Sequence, residues 1–330
     1  MNFDPQLSTG TAVIVALLAS FFWGSWAIVL KYTTKLPVEI FYLVLLSAAF
    51  VFIWVLGFSL DGPALLANIR EIYTSHPSRV ILPFLGGVLY VFSNLLSIRV
   101  MQMVGLALAQ PISSSVSLIL GTSVSYLIGG IPEGITLERI IIAGLFLIGA
   151  IFFSFLAGNS RPEGSEEGSG KGKITTQVFF FAVISAMTGI IYSLAISYGL
   201  KTATQPIGMA VLPYLCVYLS GAFVGAVLLC GYLIQKNKEW GTLKTLKPKL
   251  IFFISLSSLT HYGGNVLHAF ATRHLSSVLS WPLGMTASLW TQLWGLAYGE
   301  FKGAPKKAYV FLAAGFLSYI AGAFIISNLF

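Results

Sequence analysis

Residues 94–111, NLLSIRVMQMVGLALAQP, and residues 265–282, NVLHAFATRHLSSVLSWP, each open on an asparagine and close on a proline seventeen positions later. At a constant offset of 171 the register also pairs Leu96 with Leu267 and Leu108 with Leu279, then Ser117 with Ser288 and Leu118 with Leu289. Six identities between two apolar stretches carry little weight alone. Their position carries more: both copies straddle the third and fourth apolar segments of their own half of the chain, with the proline early in the fourth. Such a proline either starts a helix or frees carbonyls near the membrane midplane, where broken helices commonly border a transported solute. Both readings of Pro111 and Pro282 stay open.

The chain has 330 residues, 56% of them hydrophobic and 9% charged, against about 25% charged in an average soluble domain. It reads as a polytopic membrane protein with the lipid bilayer as its solvent. A hydrocarbon core about 30 Å thick takes about 20 apolar residues per helix. Ten windows of that kind run 12–30, 40–60, 80–101, 106–128, 140–157, 178–200, 209–234, 250–272, 275–299 and 309–329. The expected fold is an all-α bundle of ten transmembrane helices. The leading MNFDPQLSTG has no Lys or Arg, and the first window runs into Lys31 rather than a small-residue cleavage site, so it reads as a retained helix. Cys216 and Cys230 fall on one segment without metal-ligand neighbours and read as small core residues.

The net charge of +8 sorts by loop. Fourteen of the nineteen Lys and Arg residues follow odd-numbered segments, among them Lys31, Arg99, Lys171, Lys247, Lys249 and Lys306. The bias places those loops in the cytoplasm and both termini outside. The basic excess is thus an orientation signal, and no nucleic-acid partner is expected. Residues 159–177, NSRPEGSEEGSGKGKITTQ, are rich in Gly, Ser and mixed charge and read as a linker. The expected organisation is a first five-helix repeat over 1–157, a flexible cytoplasmic linker over 158–177 and a second five-helix repeat over 178–330. Five helices per half oblige the two halves to lie in the membrane with opposite topology.

Polar residues three and four apart share a helix face. Such stripes are Tyr90, Asn94 and Ser97; Gln110, Ser113 or Ser114, Ser117 and Ser125; His261, Asn265, His268 and Thr272; and Ser288 with Gln292. In lipid these groups lack partners, so the stripes face the bundle interior or a watery cavity. Small hydroxyls there serve close packing as readily as a solute. The amides and imidazoles point more to a pocket or gate, with hydrogen bonds between helices as the alternative. Trp23, Tyr192, Trp281 and Trp290 complete the candidate solute-binding set as flanks for a planar solute, against an interface or core role. His261 and His268 are candidate proton carriers, as is Glu39, although Glu39 and Glu300 also lie level with Lys31 and Arg99 as candidate ion pairs. No metal, cofactor or catalytic residue is expected, and no enzyme motif such as H-E-x-x-H or G-x-S-x-G is present. The linker glycines at 164, 168 and 170 miss the phosphate-loop spacing.

The segments FFWGSWAIVLKYTTKLPVEIFYL (21–43), GGVLYVFSNLLSIRVMQMVGLALAQPISSSVSLILGTSVSYLI (86–128) and WGLAYGEFKGAPKKAYVFL (294–312) together resemble the ureide permease family of the drug/metabolite transporter superfamily. GSW (24–26) and GEFKG (299–303) are also similar to the glucose/ribose and rhamnose porter branches. The resemblance implies ten helices in inverted halves at the cell membrane. It also implies symport of a small polar solute with protons: a ureide such as allantoin, a nucleobase such as uracil or, on the neighbouring branches, a sugar. A drug or metabolite exporter and a membrane scaffold without a transport cycle are the other readings carried forward. Oligomeric state is not encoded in these features.

Overall fold

A computed structural model describes residues 2–130, 136–160 and 176–327. Among them the chain is all helical apart from an isolated bridge between Leu200 and Met209. The elements are α1 (Thr9–Ser25), a 3₁₀ segment (Trp26–Lys31), α2 (Val38–Asp61), α3 (Ala64–Ser75), α4 (Ser78–Val104), α5 (Leu106–Gly129) and α6 (Leu137–Asn159). They continue with α7 (Thr176–Gly199), α8 (Val211–Lys236), α9 (Trp240–Lys244), α10 (Pro248–Leu275), α11 (Ser277–Met285), α12 (Ala287–Ala297) and α13 (Lys306–Ser327). Residues 161–175, most of the expected linker, lie outside the described residues.

Among the described residues seven helices are long and apolar enough to cross a membrane: Thr9–Lys31, Val38–Asp61, Ser78–Met103, Ile140–Asn159, Phe180–Gly199, Val211–Lys236 and Pro248–Leu275. That is a narrower result than ten. α5 carries a shorter apolar stretch, Ser117–Gly129. The ninth segment is not one helix, because α11 and α12 part at Thr286, and Pro282 sits inside α11 rather than in its first turn. A second correction concerns Arg273 and His274, which fall between the eighth and ninth apolar windows, 250–272 and 275–299, where the sequence leads one to expect a short external turn. They form the last turn of α10, where Arg273 Nη2 pairs with Asp4 at 2.9 Å and His274 Nε2 lies 3.0 Å from the Pro5 carbonyl. The N-terminal residues supply the partners that let the helix run on.

Helix packing uses small residues where backbones cross closely. α4 packs on α7 and α8, and a Cβ added to Gly225 of α8 would stand 2.6 Å from the Val88 carbonyl oxygen of α4. α1 packs on α10, α2 on α8, α5 on α7, α6 on α13, and α11 with α12 against α1 and α5. Without water between helices, close backbone approach and interhelical hydrogen bonds hold such contacts. Accordingly Ser258 Oγ donates to the Leu45 carbonyl at 2.6 Å, and Trp54 Nε1 to Ser220 Oγ at 3.0 Å. Cys216 and Cys230 are buried free thiols, the former donating to the Ile53 carbonyl at 3.6 Å.

Two corners share one backbone geometry. Gly105, between α4 and α5, has φ 83° and ψ 168°; Ser276, between α10 and α11 and 171 residues later, has φ 62° and ψ 164°. That region suits glycine and strains other residues by about 1–3 kcal/mol. Ser276 Oγ makes no hydrogen bond, so its side chain returns nothing for the strain. Ser276→Gly is therefore expected to stabilise the protein by about 1 kcal/mol or more, and Gly105→Ala to destabilise it by a similar amount. Thermal unfolding of the purified variants in one detergent reads both signs.

Candidate functional site

α1, α4, α5, α7, α10 and α11 converge on a cavity of about 100 Å³ near the middle of the bundle. That is the scale of the roughly 150 Å³ cavity that admits benzene, and well under the roughly 300–1,000 Å³ of a drug-sized site. The size suits a single small ring.

Its walls rise from the stripes. α4 presents Tyr90, Asn94 and Ser97, one turn apart, and α5 presents Gln110, Ser113, Ser114 and Ser117. α10 contributes His261 and Asn265, and α7 contributes Ser185, Gly189 and Tyr192. Trp23, Trp26, Trp281, Met101, Met285 and Ala287 close the remainder. Among the candidates, Asn94, Gln110, Ser113, Ser114, Ser117, His261, Asn265, Trp23, Tyr192 and Trp281 thus line one cavity, whereas His268, Ser288, Trp290 and Gln292 do not. His268 is fully buried behind the indole of Trp23, with ring centroids 4.8 Å apart. Ser288 is buried away from the wall, Trp290 Nε1 donates to Ser20 Oγ at 3.1 Å, and Gln292 Nε2 donates to the Ser154 carbonyl on α6. His268, Trp290 and Gln292 join helices, as the alternative reading of the stripes allows, and Ser288 Oγ is buried without a hydrogen-bond partner. Periodicity gives a face, not the neighbour that the face meets.

The indoles are fixed by hydrogen bonds. Trp23 Nε1 donates to Asn265 Oδ1 at 2.8 Å, and Trp281 Nε1 donates to the Ser117 carbonyl at 2.9 Å. Using Oδ1 in this way leaves the Asn265 amide nitrogen, a donor, for the cavity. Asn94 is placed differently: its Nδ2 lies beside the Tyr42 and Tyr90 phenols but makes no hydrogen bond of good geometry. His261 packs edge-on against Trp26, centroids 4.6 Å apart, and its Nδ1 is buried without a partner. Sequence reasoning missed Trp26, Ser93 and Ser185. Ser93 and Ser185 each donate to the other's carbonyl, at 2.7 and 2.8 Å, and clamp α4 to α7 beside the cavity. A lone serine on an apolar helix gives no signal of such a clamp.

The 3₁₀ segment follows from the same constraint. Tightening the last turns after α1 releases carbonyls that lipid cannot satisfy. Neighbouring helices supply donors: Thr291 Oγ1 to the Gly24 carbonyl at 3.2 Å and Ser257 Oγ to the Trp26 carbonyl at 2.7 Å. Trp26 then stands beside His261 in the wall.

At the end where α10 finishes, a layer of hydroxyls closes the bundle above the cavity. Ser125 bonds Ser193 at 2.9 Å, Ser197 bonds Ser277 at 2.7 Å, and Thr272 bonds Ser280 at 2.7 Å. Tyr192 and His268 lie just inside this layer, the phenol 3.3 Å from His268 Nδ1. At the other end the candidate carboxylates are paired: Glu39 with Arg99, and Glu300 with Lys31 at 3.1 Å.

The chain is 24% identical over 273 residues to "Ureide permease 1" of Arabidopsis thaliana, an alignment spanning 76% of this chain and 69% of that protein. No protein-family profile matches. With the apolar helices, this similarity identifies an integral membrane protein.

The slot for Trp23 is cut by two glycines. A Cβ on Gly264 would lie 2.7 Å from Trp23 Cδ1, and one on Gly284 would lie 2.6 Å from Trp23 Cζ3. Gly264→Ala is expected to displace the indole, break the bond to Asn265 and cost about 1–3 kcal/mol. Gly263→Ala, whose Cβ would meet Phe22 at an ordinary 3.6 Å, is expected to be neutral. Thermal stability of the two variants side by side checks this.

Proposed function

We propose that the protein is a secondary transporter that carries a small neutral ring-shaped solute, a ureide or nucleobase, with protons. On this reading ten segments cross the cell membrane in two inverted halves, the odd loops are cytoplasmic and both termini are outside. The observation that carries it is the composition of the cavity wall. Tyr90 and His261, Asn94 and Asn265, Gln110 and Trp281, and Ser114 and Met285 each stand 171 residues apart, and all eight line the same cavity. The packing of α1 on α10 likewise has a counterpart in α7 on α4. Two halves that meet across one site are the arrangement used for alternating access. The relative's name supports the ureide class.

The chemistry of the wall fits such a solute. Indole and phenol faces sandwich a planar ring, while Asn265, Asn94 and Gln110 offer donors and acceptors to urea-type N–H and C=O groups. A charged solute would enter without a countercharge, since among the described residues no Asp, Glu, Lys or Arg lines the cavity. Among the three candidates for proton coupling, Glu39 is engaged by Arg99 and His268 is sealed behind Trp23. The proposal therefore assigns the proton to His261, the imidazole in the wall.

Uptake of labelled allantoin, uracil and glucose into vesicles holding the purified protein, with and without an inward proton gradient, tests the reading. Allantoin or uracil uptake is expected to rise several-fold with the gradient. His261→Gln is expected to remove that rise while leaving solute exchange, and Asn265→Ala, which orphans the buried Trp23 Nε1, to lower uptake by about tenfold or more and stability by about 1–3 kcal/mol. Uptake of every solute equal to that of empty vesicles would contradict the proposal, and uptake of glucose alone would move the site to the sugar class.

A further inference from the structure

A second, larger cavity opens on the other side of the 3₁₀ segment. It is a groove of about 700 Å³ between that segment and α10, with Trp26, Val29, Phe253 and Leu256 in its apolar wall. Lys247 and Lys249 stand at one end, both exposed, and neither meets a carboxylate in an ion pair among the described residues. The ammonium of Lys249 lies 5.9 Å from the Phe253 ring centroid, level with the start of the apolar wall. Along α10 the wall runs from Lys249 to Thr260, eleven residues. At 1.5 Å per residue that is about 16 Å, close to half of a hydrocarbon core about 30 Å thick. The groove is thus one leaflet deep, basic at headgroup level and apolar below it.

We propose that this groove is a binding site for one anionic phospholipid, its phosphate on Lys247 and Lys249 and one acyl chain along Phe253 and Leu256. Charge selects the headgroup: two lysines without carboxylate partners attract a net negative lipid, whereas a zwitterionic one brings its own ammonium to them. The apolar wall selects a lipid over a soluble anion, because a free phosphate covers none of it. Trp26 belongs to this wall and to the wall of the central cavity. A bound acyl chain therefore braces the 3₁₀ segment that holds Trp26 against His261.

The protein is reconstituted with an equal mixture of phosphatidylglycerol and phosphatidylcholine, extracted gently, and weighed by native mass spectrometry, a readout independent of transport. One phosphatidylglycerol per chain is expected in preference to phosphatidylcholine. Its apparent affinity is expected to fall about fivefold in Lys247→Gln or Lys249→Gln and about thirtyfold in the double variant. Leu256→Trp, which fills the groove without touching the lysines, is expected to release the lipid from a protein that stays monodisperse. Equal retention of the two lipids would overturn the proposal, as would phosphatidylglycerol retention that survives the double lysine variant or the Leu256→Trp variant.

Discussion

The hydrogen bond from Trp23 Nε1 to Asn265 Oδ1, 2.8 Å long and fully inside the bundle, is the interaction on which the central cavity depends. It holds an indole edge to an amide at a place where both are buried. Because the indole is held there, Gly264 and Gly284 must stay glycine, His268 is walled off, and the Asn265 nitrogen is left for the cavity. Its repeat partner Asn94 is not held in this way; its Nδ2 lacks a hydrogen bond of good geometry beside Tyr42 and Tyr90. On the transporter reading that asymmetry is expected, since two like halves in one state must adopt different local arrangements.

The same rule orders the rest of the bundle. Every polar group in lipid has to be met from within the protein, and here short hydroxyls do most of the meeting. Ser93 with Ser185 clamps α4 to α7, Ser125 with Ser193 joins α5 to α7, and Ser257 and Thr291 serve carbonyls around the 3₁₀ segment. Charged groups are kept to the ends, where Glu39 with Arg99 and Glu300 with Lys31 sit opposite the Asp4–Arg273 pair. The cavity between these ends is polar without being charged, which is the property the proposed solute class rests on.

Much of this was legible in the sequence because hydrophobic length and helical periodicity are local. The seven apolar helices and the stripes at 90–97, 110–117 and 261–265 each follow from spacing along one segment. What was not legible depends on neighbours. At the break Thr286 turns its own hydroxyl onto the Leu283 carbonyl, and the 3₁₀ turn at Trp26 exists because other helices supply donors. Trp290 and Gln292 were candidates for the cavity wall but meet Ser20 on α1 and Ser154 on α6 instead. Arg273 and His274 were expected in a turn because charge ends an apolar window, yet the N-terminal strap pairs with them and the helix continues. The shared geometry of Gly105 and Ser276 was hidden for another reason: a serine does not advertise a glycine-like conformation.

The most direct test of the central claim, that the cavity between Asn94 and Asn265 is where the solute sits, is protection of a reporter placed in its wall. In a background with Cys216 and Cys230 replaced by alanine, Ser113→Cys is labelled with a membrane-permeant maleimide, and Gly231→Cys, in open space on α8, serves as control. The account predicts that saturating allantoin or uracil slows labelling at position 113 several-fold and leaves position 231 unchanged. Identical labelling rates at position 113 with and without a solute that the protein transports would contradict it.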